Sequence, residues 1–220
     1  MTGIAVDRFS EALPFRVRIA SGPQDLAKVV EIRAKAYARH LPSYASKLLY
    51  AEDEDRRDDA ILLLAERKLD GAPIGSSRLL PHLAGSVSSE TNAAIPQRLR
   101  ASRLLESARL GVADGEPGRL VTAAIVKATY LVCRALSIDF SIAVARRSTV
   151  EFFGRMGYDT IAGPLQFAGV KSPLWMVAVP ISDFERRLAD RRHVYSSFVS
   201  NVEHADIDIS PVRRTLAHYA

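Results

Sequence analysis

The segment Leu104–Val112 (LLESARLGV) constrains the fold more than any other part of this sequence. It is an apolar stretch, typical of a strand, that carries one acid, Glu106, and one base, Arg109, in its interior. Strand side chains alternate between two faces, so these charges lie on opposite faces unless a β-bulge shifts the register between them. A buried charge costs several kcal/mol unless it is paired or hydrogen-bonded. We therefore predict either an ion pair that joins strands or a reactive site here.

The composition places the chain among ordinary globular proteins. Its 220 residues are 48% hydrophobic and 25% charged, which suits one large domain or one domain with a tail. The net charge of +5 is spread without long basic blocks, so it favours anionic small ligands or an acidic protein partner over nucleic acid. Cys133 is the only cysteine, which excludes an internal disulfide and a cysteine-based metal site.

Nothing in the sequence indicates a metal site or a membrane anchor. The five histidines, His40, His82, His193, His204 and His218, lack the spacing of metal ligands. No apolar run approaches the roughly 18 residues of a membrane span, and no signal-peptide pattern is present. We expect a cytoplasmic protein without a metal or a membrane span.

Predicted strands and helices alternate along the chain, which indicates an α/β (α+β) fold class. Asp70 and Gly71 form the turn of a hairpin, and Ser21, Gly22 and Pro23 begin the first helix. The predicted strands are 15–20, 60–67, 73–80, Leu104–Val112, 138–143 and 172–179. The predicted helices are 25–39, 95–102, 119–136, 148–156 and 181–192. We expect an N-terminal extension at 1–14, a domain at 15–192 and a polar C-terminal tail at 193–220 without a sustained period.

This order of elements resembles that of the GNAT acyltransferase superfamily. The string RRSTVEFFGRMGYDTIAGP at residues 146–164 is similar to the C-terminal half of that fold. EIRAKAY at 31–37, an acidic cluster ending at Asp59, GSSRLLP at 75–81 and LLESARLGV occur in the order seen in acyl-homoserine-lactone synthases and the related N-acyl amino acid synthases. The resemblance implies a GNAT-like acyltransferase fold, with a mixed and mostly antiparallel central sheet flanked by helices.

Two departures separate the branches of this superfamily. Residues 111–119 (GVADGEPGR) match the glycine-rich pyrophosphate loop of acetyl-CoA-dependent members poorly, and 40–50 lacks the tryptophan found in the lactone synthases. The N-acyl amino acid synthase branch therefore fits best. It implies transfer of an acyl group from an acyl-carrier-protein or CoA thioester to the amine of an amino acid or similar small acceptor, with no tightly bound cofactor.

The resemblance also implies site residues. The matching positions are Arg33, an acid among Asp53, Asp55, Asp58 and Asp59, then Arg78, Glu106 and Arg109, and of the acids we assign Asp58 and Asp59 to the substrate. An amine attacks a thioester only when neutral, so Glu106 is the expected general base, directly or through water. Arg109 orients this carboxylate or binds the acceptor's own carboxylate, and Arg78 completes that clamp. Arg33 links the first helix to the acidic loop, although an ordinary salt bridge explains it equally well.

The remaining expectations concern the donor and its partner. We expect Tyr37, Phe153 and Tyr158, with Phe152 and Phe167, to line an acyl pocket, although plain core packing is the common role of such rings. The expected donor contacts are Leu110, Gly111, Val112, Gly118 and Arg119. The residues expected to contact an acyl carrier protein are Arg98, Arg100, Arg103, Arg146 and Arg147. A dimer, an acetyl-CoA-dependent N-acetyltransferase and a catalytically silent GNAT-like binding module remain alternatives.

Overall fold

The computed structural model describes residues 12–82, 94–115, 118–167, 170–200 and 204–212. The strands are β1 (Phe15–Ile19), β2 (Ile61–Arg67), β3 (Pro73–His82), β4 (Leu104–Val112), β5 (Phe140–Arg146), β6 (Asp159–Leu165), β7 (Leu174–Pro180) and β8 (Ile207–Asp208). The α-helices are α1 (Gly22–His40), α2 (Pro42–Ala45), α3 (Gly118–Ala135), α4 (Arg147–Arg155), α5 (Phe184–Asp190) and α6 (Ser196–Ser200). Short 3-10 helices are Ser46–Leu48, Asp53–Arg56, Gln97–Leu99 and Ile181–Asp183.

The eight strands form one sheet in the order β6-β7-β5-β4-β3-β2-β1-β8. Neighbours are antiparallel except for the pairs β4 with β5 and β1 with β8. The expected mixed and mostly antiparallel sheet is thus confirmed. Period-two alternation supplies its two apolar faces, because successive side chains point to opposite sides.

Helices cover both faces of the sheet. Val29 of α1 packs against Leu62 and Leu64 of β2, and we call this side the α1 face. Leu63 and Leu79 point to the other side and belong to the main core with α3, so we call that side the α3 face. The helix α4 packs beside α3 against β5, β6 and β7.

β4 contains a β-bulge at the position of the internal charges. Ser76 pairs with Gly111 and Arg78 with Ala108, so Arg109 and Leu110 both lie opposite a single residue of β3. Arg109 has a φ of 56°, in the left-handed region. The bulge shifts the alternation by one residue, so the alternative with Glu106 and Arg109 facing the same side is the one observed.

The sheet opens between β4 and β5. The last of their three register pairs joins Glu106 to Ile142. Beyond that pair β4 continues beside β3 and β5 beside β7, and no further register pair joins these two fully described strands. A bulge bends its strand, which accounts for β4 leaving β5 shortly before Arg109. Glu106 therefore lies at the point where the α1 face and the α3 face meet.

The chain after residue 192 contains elements that the sequence analysis did not predict. β8 pairs with β1, and Phe198 and Val199 of α6 are fully buried in the main core. Lys127 of α3 donates from Nζ to the Phe198 carbonyl at 2.6 Å. The short α6 and the two-residue β8 show no period, because each is too short for a repeat to emerge.

Two other segments differ from the sequence analysis. Residues 95–102 form only the 3-10 turn Gln97–Leu99 rather than a basic helix. β6 was not predicted, because it contains Gly163 and Pro164 and lies at the sheet edge with most side chains partly or fully exposed. Residues 1–11 of the expected N-terminal extension lie outside the described residues.

Candidate active site

Three arginines and two acids form a charged cluster on the α1 face. Arg33 donates to both Asp55 carboxylate oxygens, at 2.9 and 2.8 Å, and both side chains are 0% exposed. Arg109 donates from Nε and Nη2 to the two oxygens of Glu52, each at 2.7 Å. Arg78 bridges these pairs, with Nη1 at 3.0 Å from Asp55 and 3.1 Å from Glu52. We call these five residues the arginine–carboxylate cluster.

The cluster fixes α1, β3, β4 and the 3-10 helix Asp53–Arg56 relative to one another. Buried charges persist when they are paired with good geometry, and each of the two bidentate pairs meets that condition. The cluster is not closed to the solvent, because the side chains of Arg109 and Glu52 are 23% and 19% exposed. The Tyr44 hydroxyl accepts a hydrogen bond from Arg109 Nη2 at 2.9 Å. A ligand on this face can therefore reach Arg109, Glu52 and Tyr44.

Electrostatics keep the cluster ionised. Burial opposes the ionisation of Glu52 and Asp55, but the hydrogen bonds and charges of Arg109 and Arg33 outweigh it, so the pKa of each carboxyl lies below its ordinary value. Burial likewise opposes the charge on Arg109, yet hydrogen bonding to Glu52 raises the pKa of the guanidinium above its ordinary value. A carboxylate held in this way is a weak base, which makes Glu52 and Asp55 poor candidates for proton removal.

Glu106 lies apart from this cluster. Its Oε2 is 3.5 Å from Nε2 of His82, and both side chains are almost fully buried, at 11% and 2% exposed. Neither ring nitrogen of His82 has a hydrogen bond in the described part of the chain. The expected alternative of a Glu106–Arg109 pair is wrong, since Arg109 binds Glu52 instead. Glu106 lies at the opening of the sheet, at the last register pair between β4 and β5.

An apolar cavity lies on the α3 face beside the opening. Its free volume is about 30 Å³, room for two or three water molecules rather than for a long acyl chain. Ser141 and Tyr158 share a hydrogen bond of 3.0 Å in its wall, and burial raises the pKa of Tyr158 well above its ordinary range. The lining side chains are Ser77, Ser107, Leu110, Ile125, Val126, Thr129, Tyr130, Cys133, Ser141, Phe152, Phe153, Met156, Tyr158, Val179, Ile181 and Phe184.

A larger cleft of about 1150 Å³ lies where β4 ends and α3 begins. We call it the donor cleft, because Val112, Gly118 and Arg119, which the sequence analysis expects to contact the donor, line it. Phe152 lines both the donor cleft and the apolar cavity, so the two spaces meet at this ring. The other described residues that line the cleft are Arg39, Val112, Ala113, Asp114, Gly115, Gly118, Arg119, Thr122, Glu151, Gly154, Arg155, Arg191, Arg192, His193, Val194 and Tyr195.

Most sequence-predicted residues lie at one of these three places. Arg33, Arg78 and Arg109 are in the arginine–carboxylate cluster, and the ring of Tyr37 is 6.4 Å from that of Tyr44 beside it. Leu110, Phe153 and Tyr158 line the apolar cavity. Val112, Gly118 and Arg119 line the donor cleft.

Several other predicted site residues lie outside these three places or on a different face than expected. Asp58 and Asp59 are exposed, and Asp59 pairs with Arg57, so Asp55 is the acid that binds Arg33. Gly111 faces α1 rather than the donor cleft, because a Cβ there would lie 3.1 Å from that of Ala36. The expected acyl-pocket residue Tyr37 lies on the α1 face and is absent from the lining of the cavity.

The basic residues expected to contact a carrier protein fall into two groups. The first group precedes β4 and consists of Arg98, Arg100 and Arg103. The donor cleft lies at the opposite end of this nine-residue strand. Arg146 and Arg147 lie where β5 ends, and β5 is parallel to β4, so these two are at the same end of the sheet as the cleft. Of these five arginines, Arg146 and Arg147 are therefore the two that lie at the same end of the sheet as the cleft.

The sequence reasoning missed three residues of the site: Glu52, Tyr44 and His82. The sequence does contain a signal for Glu52, because it precedes Asp55 by three residues, the spacing of a capping box. In the structure the Glu52 backbone N–H donates to the Asp55 carboxylate at 2.8 Å. His82 ends the strand that pairs with β4, and only the register shows that it lies beside Glu106. In the described ranges, no group of three His, Cys, Asp or Glu side chains is arranged to hold a metal. None of the helices there is both long and apolar enough to cross a membrane.

The split mixed sheet, the bulge in β4 and the cleft at the start of α3 define the GNAT class of fold. The family model of the N-acyl amino acid synthase FeeM matches residues 28–180, more than half of the chain, and the chain therefore belongs to that family. The protein is thus an N-acyltransferase. No curated protein matches the sequence.

Solved structures support the fold. FeeM from uncultured soil microbes has a TM-score of 0.65 at 14% identity, covering 80% of this chain and 97% of its own. The CoA-dependent acyl-homoserine lactone synthase BjaI, with MTA, has a TM-score of 0.64 at 17% identity, covering 92% and 99%. A protein of the GNAT family from Desulfovibrio desulfuricans has a TM-score of 0.55 at 14% identity, covering 76% and 99%. At these identities the likeness shows the fold alone.

Proposed function

We propose that the protein transfers an acyl group from a thioester to the amine of an amino acid or a similar small acceptor. The observation that carries this proposal is the opening of the sheet at Glu106. On its α1 face lies a paired cation and anion, Arg109 and Glu52, and on its α3 face lie the apolar cavity and the donor cleft. The two reactants thus approach one point from opposite faces of the sheet.

The charges on the α1 face match those of an amino acid. A bidentate guanidinium such as Arg109 recognises a carboxylate, and the carboxylate of Glu52 attracts an ammonium group. Both side chains are partly exposed, so an acceptor reaches them without breaking the buried Arg33–Asp55 pair. This arrangement supports a zwitterionic acceptor over a neutral amine.

Proton removal falls to Glu106 in this proposal. The amine must lose a proton before or during attack, and Glu106 is the acid that lies at the opening of the sheet, whereas Glu52 is bound by Arg109. Nε2 of His82 lies 3.5 Å from its Oε2. Beyond Glu106 the edge of β4 that faces β5 has no register pair, so its backbone N–H groups are available to stabilise the developing oxyanion. When the oxyanion collapses, the C–S bond breaks as the C–N bond is kept, and the leaving thiolate takes up the proton that the amine gave to Glu106.

The acyl group fits the apolar cavity only if side chains move. The free volume of about 30 Å³ is far below that of a medium or long acyl chain. The rings of Phe152 and Phe153 meet edge-on, with centroids 5.6 Å apart, between the donor cleft and the cavity. Displacement of these rings is the simplest way for the chain to enter.

The proposal is tested with purified protein, acyl thioesters of CoA and of an acyl carrier protein, and a mixture of the common amino acids. Mass spectrometry should detect an N-acyl amino acid. We expect Glu106→Gln to lower turnover at least about 100-fold, the lower range for loss of a general base. The matched control is Glu31→Gln, which removes an exposed carboxylate of α1 paired only with Lys35.

Two outcomes would contradict the proposal in different ways. An absence of any N-acyl product with every donor would reject amino-acid acylation. Normal turnover by Glu106→Gln would reject Glu106 as the general base but would not contradict the proposed acyl transfer. The variant Arg109→Lys tests the acceptor site independently of the reaction and of the general base. Loss of the bidentate geometry should raise the KM for the amino acid about tenfold.

A further inference from the structure

The donor cleft has a wall that lies outside the family match. The match ends at residue 180, whereas Arg191, Arg192, His193, Val194 and Tyr195 line the cleft. We call residues 191–195 the C-terminal wall. It continues directly from α5, and Arg192 adopts a left-handed φ of 49° that turns the chain back toward the cleft.

The C-terminal wall is fastened to both sides of the cleft. Arg191 donates a hydrogen bond from Nη1 to the Gly154 carbonyl of α4. The Tyr195 hydroxyl donates to the Arg119 carbonyl in the first turn of α3 at 2.9 Å. Because these contacts lie at its two ends, the segment is held as part of the site rather than as a loose extension.

The cleft concentrates positive charge. Among the described residues, its lining includes five arginines from four separate parts of the chain and two acids: Arg39, Arg119, Arg155, Arg191 and Arg192, with Asp114 and Glu151. Asp114 is already paired with Arg39 at 3.0 Å. Across the described ranges, the side chains of Arg119, Arg155 and Arg192 have no ion pair or hydrogen bond. A concave surface focuses such a field, so unpaired cations that converge there attract an anion of more than one charge.

The charge of the cleft, together with its size, bears on the kind of anion it takes. Its volume of about 1150 Å³ leaves room for a nucleotide as well as for a pantetheine arm. We propose that the C-terminal wall binds the nucleotide phosphates of the acyl donor, which makes a CoA thioester, rather than a carrier protein, the preferred substrate. This inference rests on the proposed acyl transfer and specifies its donor.

The test measures binding by titration calorimetry with four probes: CoA, dephospho-CoA, 4'-phosphopantetheine and adenosine 3',5'-bisphosphate. We expect CoA to bind at least about tenfold more tightly than 4'-phosphopantetheine, since at least one charge-assisted contact is added. The adenosine bisphosphate alone should bind and compete with CoA. Added salt should weaken both, because the contacts are exposed to solvent.

Variants distinguish a specific contribution of the C-terminal wall from a general effect of the protein's positive charge. Arg191→Ala with Arg192→Ala should weaken CoA binding about tenfold or more and raise the KM for acyl-CoA. The matched control, Arg134→Ala with Arg186→Ala, removes two exposed arginines that do not line the cleft and should bind CoA as the wild type does. Arg191 also contacts Gly154, so Arg192→Glu, whose side chain has no such contact, gives an independent result if the double variant unfolds.

The outcomes distinguish this inference from the proposed function. Equal affinity for CoA and 4'-phosphopantetheine, or CoA binding by Arg192→Glu at the wild-type level, would overturn the nucleotide site. Acyl transfer from an N-acetylcysteamine thioester, which has no phosphate, reports the reaction itself. If the protein transfers the acyl group from that thioester but binds CoA and 4'-phosphopantetheine equally well, only the assignment of the donor is rejected. If it transfers no acyl group from any thioester, the proposed function is rejected.

Discussion

At the scale of single residues, the Arg33–Asp55 pair is the most deeply buried part of the charged cluster. Both side chains are fully inaccessible, and Arg78 also depends on Asp55 for one of its two short contacts. Removing one partner of a buried pair leaves the other charge uncompensated, which costs about 3–5 kcal/mol. The pair therefore serves stability, whereas the partly exposed Arg109 and Glu52 are the residues that we propose to meet the acceptor.

Asp55→Asn tests this division of roles. We expect the free energy of unfolding to fall by about 3 kcal/mol or more, measured by chemical denaturation. Asp53→Asn is the matched control, because Asp53 belongs to the same 3-10 helix but is exposed. Equal stability of the two variants would show that the pair contributes nothing beyond a surface contact.

At the scale of elements, the contact between α1 and β4 depends on Gly111. A Cβ there would lie 3.1 Å from that of Ala36 and 3.3 Å from Cα of Arg33. We expect Gly111→Ala to lower the free energy of unfolding by about 1–3 kcal/mol, since the backbone of α1 must move. Gly154→Ala, in α4 with nothing within 4 Å, should instead stabilise by roughly 0.5–1 kcal/mol. Thermal and chemical denaturation measure both, and effects of the same sign would contradict the packing argument.

A second prediction concerns the junction of β1 and α1. Hydrogen bonds from Arg18, at 2.5 and 2.7 Å, are the main reason that the pKa of Asp25 falls from 3.8 to about 2. A carboxyl whose pKa is lower in the folded state stabilises fully above 3.8 and loses that contribution as the pH falls toward 2. In Asp25→Asn the free energy of unfolding should therefore fall less steeply than in the wild type as the pH decreases from 3.8 to about 2. The exposed Asp58→Asn serves as control, and an unchanged slope in Asp25→Asn would refute the prediction.

At the scale of the whole molecule, the chain after residue 192 completes the main core. Phe198 is 0% exposed within it, whereas Val194, four residues earlier, is 71% exposed. We expect Phe198→Ala to lower the free energy of unfolding by about 3–5 kcal/mol. Val194→Ala should change it by no more than about 0.5 kcal/mol. A small effect of Phe198→Ala in chemical denaturation would mean that this segment is an appendage.

The sequence predicted the strands and helices with long apolar periods, and it predicted much of the candidate site. The hairpin of β2 and β3, the helix α3 and the strand with Glu106 and Arg109 all follow from local patterns. The edge strand β6 and the short elements α6 and β8 did not, because their side chains carry little periodic signal. The sequence left the acid that matches the family's position open among Asp53, Asp55, Asp58 and Asp59, since composition does not distinguish a buried Asp55, which binds Arg33, from an exposed Asp59.

The amino-acid sequence by itself determined the class of fold and the residue types of the site, because both depend on spacing along the chain. Tertiary structure alone decided which charges meet: Arg109 with Glu52, Arg33 with Asp55, and Glu106 beside His82. It also decided that residues 191–195 form a wall of the donor cleft. Pairings across tens of residues depend on strand register, on the bulge in β4 and on the opening of the sheet, and a one-residue shift in any of these exchanges the partners.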